Sequence, residues 1–254
     1  MQVIFIHHSC FVVEVDDKVL IFDYFSKDKM TDYHFTGELP TYEPDTPVYV
    51  FASHKHRDHF DMDVLRLADY YNNIHFIFSK DCKMTAGFLK RHGISEKARD
   101  AITYVSACNK YEIEGGVQIE TLRSTDAGVA FYITINGASI YHAGDLNNWK
   151  WDGAGELVNG RMEMAFRQEV RKLHNKHINL AFVPMDPRQC EYQFLGIDYM
   201  LKNTDAEYIF PMHMWQDYSG IATYAKSLSN RGMADRLVFI EHENQEFEIS
   251  ENYA

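Results

Sequence analysis

The sequence predicts an α/β (α+β) protein in which two mixed β-sheets pack face to face with helices outside. Short apolar or alternating runs recur along the whole chain, helical segments interrupt them in irregular order, and His- or Asp-rich turns follow several of the runs. With 254 residues the chain is long enough to bury a large core, and a single domain over 1–254 is expected. Hydrophobic residues at 46% and aromatics at 14% suit a filled core and exclude disorder. The formal charge of −12 repels phosphate backbones, so no nucleic-acid groove is expected, while a local basic pocket still suits a small anion. Cys10, Cys82, Cys108 and Cys190 are widely spaced and form no CxxC pair, so reduced core or near-core thiols in a cytoplasmic protein are expected. Neither a signal peptide nor a membrane span is read, since the apolar start at Met1 to Ile6 is too short.

In chain order, Val3 to Ile6, Phe11 to Val15 and Val19 to Phe22 read as a strand and a hairpin turning at Asp16-Asp17. The stretch 25–47 lacks periodicity and carries Gly37, Pro40, Pro44 and Pro47, so it reads as a long loop able to wall a pocket. Its Tyr33, Phe35 and Tyr42 either face substrate or pack the loop onto the body. Val48 to Ala52 is a buried strand, and Asp61 caps an amphipathic helix carrying Val64, Leu65, Ala68 and Tyr71. Ile74 to Phe78 is a strand and Lys80 to His92 a helix ended by Gly93. Strands are expected at 101–105, 110–113, 117–122, 130–135 and 138–142, with Asn136-Gly137 as a hairpin turn. The stretch 153–173 reads as a packing helix whose apolar face holds Val158, Met162, Ala165, Phe166, Val170 and Leu173. A strand at 178–183, a short helix at 197–202, a strand at 206–210, a helix from Ser219 to Arg231 ended by Gly232, and strands at 237–240 and 246–249 complete the reading.

The densest chemistry is His54-Lys55-His56-Arg57-Asp58-His59, a loop between a strand and a helix, where α/β folds place ligand sites. Imidazole and carboxylate suit a borderline divalent ion, and spacing of i, i+2, i+4 and i+5 lets one tight loop aim pairs of donors at two neighbouring ions. A second turn, His142-Ala143-Gly144-Asp145, again follows a strand and ends in a carboxylate. His142 reads as a core or supporting residue, because its register differs from that of Asp145. His7 and His34 carry no motif and are expected in solvent.

His54, His56, Asp58 and His59 match the HxHxDH signature of the metallo-β-lactamase fold superfamily, and 142–145 resembles its HAGD motif. The stretch His7-His8-Ser9-Cys10-Phe11 with Asp23, and Pro211-Met212-His213, resemble the ascorbate-6-phosphate lactonase-like branch. The resemblance implies a four-layer αββα sandwich of two similar halves and a centre of two divalent ions. His54 and His56 hold one ion, Asp58, His59 and His213 the other, and Asp145 bridges them. It also brings His8 and Asp23 toward the metals from the side, the alternative being a hydrogen-bonded core histidine at 8 and a turn residue at 23. One family ligand is missing: where a third His is usual, the chain reads Arg123-Ser124-Thr125-Asp126. Asp126 either replaces the imidazole, or water fills the position, or one ion is held. Zinc is the expected metal, and an oxygen ligand moves the preference toward manganese or iron.

Asp145 and a metal-activated hydroxide, with Asp58 positioning it and handling its proton, imply hydrolysis. Arg188, Asp186, Trp149 and His8 are the candidates for substrate contact, Arg188 as a clamp for a carboxylate or phosphate or as one half of an internal pair with Asp186. The expected substrate is a small, anionic metabolite carrying a lactone or other ester. The alternatives are a phosphodiesterase or nuclease of the same fold and a catalytically silent metal-binding protein.

Overall fold

The computed structural model describes residues 1–228 and 233–250. Strands β1 (Gln2–His7), β2 (Cys10–Val15) and β3 (Lys18–Phe22) form an antiparallel meander, to which β4 (Val48–Ala52), β5 (Ile74–Ser79) and β6 (Ile102–Val105) add in parallel. Strands β7 (Lys110–Ile113), β8 (Val117–Arg123), β9 (Val129–Ile135) and β10 (Ala138–His142) are antiparallel neighbours. They are followed in parallel by β11 (His177–Pro184) and β12 (Asp205–Met212), while β13 (Gln245–Glu248) returns to pair with β1. The sheet orders are β13-β1-β2-β3-β4-β5-β6 and β12-β11-β10-β9-β8-β7.

Alternation of side chains decides which residue faces which layer. Phe5, Val13, Phe22 and Phe51 point between the sheets and meet Phe131, Ile133 and Phe182 of the second sheet. Their neighbours Ile6, Val12, Ile21 and Val50 point outward and are covered by Val64, Leu65, Leu89 and Ala98. On the far side α3 (Glu156–Val170), α4 (Leu195–Asn203) and α5 (Ser219–Leu228) cover the second sheet through Phe166, Met200 and Ile221. The architecture is therefore the αββα sandwich, with each fully buried aromatic or branched side chain contributing roughly 1.5–3 kcal/mol.

Several local expectations change. Asp61 caps as read, accepting from the Asp63 N–H, but the element it starts (Met62–Asp69) is a 3-10 helix. The helix expected over 80–92 is a 3-10 turn (Lys80–Cys82) and a separate α1 (Ala86–Arg91), because Thr85 accepts from the Phe88 N–H and starts a new helix there. An unexpected α2 (Glu96–Asp100) follows, capped by Ser95. The long helix α3 packs only through its carboxyl half, with Phe166 and Val170 buried and Val158 56% exposed. The stretch 237–240 forms no strand, contributing a single parallel bridge from Leu237 to Ile209. The expected end of the last helix at Arg231 and Gly232 lies outside the described residues. Cys10 and Cys82 are buried, whereas Cys108 and Cys190 are exposed.

The long loop contains one short 3-10 turn (Lys27–Lys29) and packs through Phe25, Met30 and Phe35. His34 is exposed, but His7 is fully buried against Phe25 and Phe35, which corrects its expected exposure. Its Nε2–H donates to the Phe25 carbonyl at 3.1 Å, which is what makes its burial tolerable.

Candidate metal centre

Every motif residue arrives at one edge of the sandwich because each follows a strand. His8 lies between β1 and β2, Asp23 follows β3, 54–59 follow β4, Asp145 follows β10, Asp186 follows β11 and His213 follows β12. The turns are strained: His8, Asp23 and His213 take φ of +51°, +44° and +64°, a region costly for residues with a Cβ and concentrated at functional sites. The His213 N–H donates to the His8 carbonyl at 3.1 Å and ties two of these turns together. Two glycines make the approach possible. A Cβ on Gly128 (φ +67°) would stand 2.0 Å from the Ser53 carbonyl oxygen and 2.6 Å from His54 Cβ, and one on Gly144 would stand 2.6 Å from Ser53 Cβ.

Two groups of donors result, one of His54, His56 and Asp145, the other of His8, Asp58, His59 and His213, each with its ligand atoms within 4.8 Å of one another. Asp145 stands between them. Its Oδ2 is 3.2 Å from His54 Nε2, and its Oδ1 is 3.2 Å from His59 Nε2 and 3.4 Å from His213 Nε2. Despite these distances, the Nε2 atoms of His8, His54, His59 and His213 and Oδ1 of Asp145 are buried with no hydrogen-bond partner among the described residues. Five orphaned polar atoms converging on one point would be costly in a protein interior. Lone pairs aimed at divalent ions resolve them, so the donor set fits metal.

The surrounding residues fix that aim. Asp23, fully buried, accepts from His59 Nδ1 at 2.7 Å and from the Ser53 hydroxyl at 2.6 Å, and that hydroxyl oxygen stands 2.9 Å from His54 Nδ1. Asp186, also fully buried, accepts from His213 Nδ1 at 3.0 Å. With Nδ1 carrying the proton in each ring, Nε2 presents its lone pair inward. His142 serves the frame: Nε2 bonds the Ser9 carbonyl at 3.0 Å and Nδ1 accepts from the Gly144 N–H.

The charges follow from the packing. Burial alone would raise the carboxyls of Asp145, Asp58 and Asp23, but the neighbouring imidazoles outweigh it and hold all three below the usual range. For His59 burial works against charge, yet Asp145 and Asp23 raise its pKa well above normal. An ion held there would displace the proton from Nε2 and leave the one that Nδ1 shares with Asp23. Burial, reinforced by His213, pushes His8 down to about 3, leaving its nitrogens free to coordinate.

Above the donors opens a cleft of about 480 Å³. Asp58, Asp145, Asp126, Trp149 and Arg188 line it, as do Met30, Arg57, Thr125, Trp151 and Trp215. Two residues expected against substrate stand elsewhere. His8, buried in the tight turn between β1 and β2, belongs to the second donor group. Asp186 lies behind His213, neutralised by Arg188, whose Nε and Nη2 pair with it at 3.0 and 2.6 Å. Arg188 itself is half-exposed and stacks over Trp215, with its guanidinium carbon 4.5 Å from the ring centre. Trp149 is nearly buried and donates to the Asp145 carbonyl at 2.9 Å. Asp126 is half-exposed, 3.8 Å from His56 Nδ1, and outside the three-residue donor group. Sequence reasoning missed Ser53, Thr125 and Trp215. Each stands close to a named candidate, Ser53 beside His54, Thr125 beside Asp126 and Trp215 two residues after His213.

Fold and site together define a metal-dependent hydrolase of the metallo-β-lactamase class. The chain belongs to the beta-lactamase superfamily, residues 2–152 matching the model described as "Beta-lactamase superfamily domain". No curated protein matches it. Among solved structures it is similar to Igni18, a metallo hydrolase from Ignicoccus hospitalis, at 18% identity and TM-score 0.62 over 98% of this chain and 99% of that one. It is also similar to CmlA, a diiron β-hydroxylase from Streptomyces venezuelae, at 11% identity and TM-score 0.63, covering 97% of this chain and 54% of that one. An isothiocyanate hydrolase from Delia radicum gut bacteria aligns at 13% identity and TM-score 0.54 over 98% and 99% of the two chains. At these identities the likeness concerns the fold. In the described residues no helix is long and apolar enough to cross a membrane.

Proposed function

We propose that the protein hydrolyses a small, anionic metabolite at a lactone or other ester bond, using two divalent ions held by His54 and His56 on one side, by Asp58, His59 and His213 on the other, and by Asp145 between them. The observation that carries the reading is the split of Asp145, one oxygen toward each donor group. Ions so placed supply a water of lowered pKa and a Lewis acid for the carbonyl. Asp58 belongs to the donor set and also lines the cleft, and its carboxylate is kept ionised by the imidazoles around it, which suits it to accept a hydrogen bond from the attacking water and orient it. Arg57 lines the same cleft and favours an anionic substrate, Arg188 being paired with Asp186, while Trp149, Trp151 and Trp215 offer flat apolar walls.

Zinc is the first metal to test. A diiron neighbour of the same fold makes iron worth loading, and manganese, which also accepts carboxylate and imidazole donors, is the other choice. Four cysteines without a disulfide agree with a cytoplasmic setting. The test is a panel of anionic lactones, carboxylic esters and phosphodiesters against zinc-, manganese- and iron-loaded protein. Turnover of lactones or esters that is lost in Asp58→Asn and Asp145→Asn supports the reading. Turnover confined to phosphodiesters, or none with full metal occupancy, contradicts it.

A further inference from the structure

We infer that His8 is a direct ligand of the second ion, and that the His8, Asp58, His59, His213 position binds metal more tightly than the His54, His56 position. The inference rests on the metal-centre reading above. Asp58 Oδ2 stands 3.5 Å from His8 Nε2, 3.8 Å from His59 Nε2 and 3.6 Å from His213 Nε2. At ordinary metal–nitrogen distances neighbouring donors around a four- or five-coordinate ion stand about 3 to 3.6 Å apart, so all three separations lie close to those of a coordination shell.

His8 is held for this role. Its side chain has no solvent exposure, its ring packs 4.2 Å from that of His213 and 4.3 Å from that of Trp215, and its backbone sits in the left-handed region, bonded to His213. Neither ring nitrogen has a hydrogen-bond partner among the described residues. At 3.5 Å, without hydrogen-bond alignment, Asp58 leaves the buried Nε2 unsatisfied. An ion shared with Asp58, His59 and His213 satisfies it.

The two positions then differ in completeness. The second has four protein donors before the shared Asp145 is counted, nearly all buried. The first has two imidazoles and the other oxygen of Asp145; His56 is 45% exposed, and the half-exposed Asp126 lies outside the group. More donors, more negative charge and less water favour the second position for tight, first binding, and leave the first with the open coordination that a substrate or water needs.

The experiment strips the full chain with a chelator and titrates zinc back against a chromophoric competitor, for the unmutated protein, His8→Gln and His56→Gln. X-ray absorption of the unmutated protein at one equivalent of zinc counts the bound imidazoles. The inference expects two steps at least about tenfold apart, with the tight step weakened at least about tenfold in His8→Gln, the size of loss that even a supporting residue causes. It expects that step preserved in His56→Gln, and three imidazoles at one equivalent. Two imidazoles, or a tight step lost in His56→Gln and unchanged in His8→Gln, overturns the inference and leaves the metal centre standing. No zinc bound by the unmutated chain overturns both. The absorption count and the His56→Gln titration decide the matter even if His8→Gln does not fold.

Discussion

Asp23 shows how a residue that touches no ion can govern the centre. It orients His59 directly and His54 through Ser53, so Asp23→Asn is expected to weaken metal binding about 10- to 100-fold, measured by chelator competition, while the fold survives. His7 makes a different prediction. Burial lowers its pKa from 6.5 to about 4, so the folded state prefers the neutral ring. Its stabilisation is complete above pH 6.5 and is lost as pH falls toward 4, by up to about 3 kcal/mol at that single site. Denaturant unfolding across that window should show a steeper loss in the unmutated protein than in His7→Phe, and equal slopes would contradict it. At this scale the sequence was legible where donors crowd together, as in 54–59. It was illegible where a lone His is decided by distant partners. His7 is buried by Phe25 and Phe35 of the loop that folds over it, and His8 sits in a turn whose φ of +51° and bond to His213 adjacent residues do not announce.

Among the elements, strands read well because their apolar runs are buried on both faces, and β1 to β5 appear within a residue or two of expectation. Helices read less well, since short polar caps decide their boundaries: Thr85 and Ser95 each begin a new helix where periodicity suggested continuity or nothing. The turns that carry the ligands depend on close backbone approach. Gly128→Ala would place a methyl 2.0 Å from the Ser53 carbonyl oxygen at a φ of +67°, so a loss of about 2 kcal/mol or more is expected, seen as a lower unfolding midpoint together with weakened metal binding as His54 moves. An unchanged midpoint would mean that the turn relaxes without cost.

For the molecule as a whole, the centre joins the two sheets. His8, Asp58 and His59 come from turns of the first, Asp145 and His213 from turns of the second, so an ion held between them links both halves of the sandwich. Ligand binding to the folded state alone adds about 4 kcal/mol at a thousandfold excess over Kd, so chelation should lower the melting temperature by several degrees and zinc should restore it. The αββα layering was legible because alternation and strand count survive any local misreading, whereas the position of His8 beside Asp58, His59 and His213, and of Asp126 outside the other donor group, depends on where the strands end. The most direct measurement is the elemental metal content of the purified protein beside that of Asp145→Ala. The account predicts two divalent ions per chain, falling to one or none when the shared carboxylate is removed; no bound metal in the unmutated protein, or a content unaffected by the substitution, would contradict it.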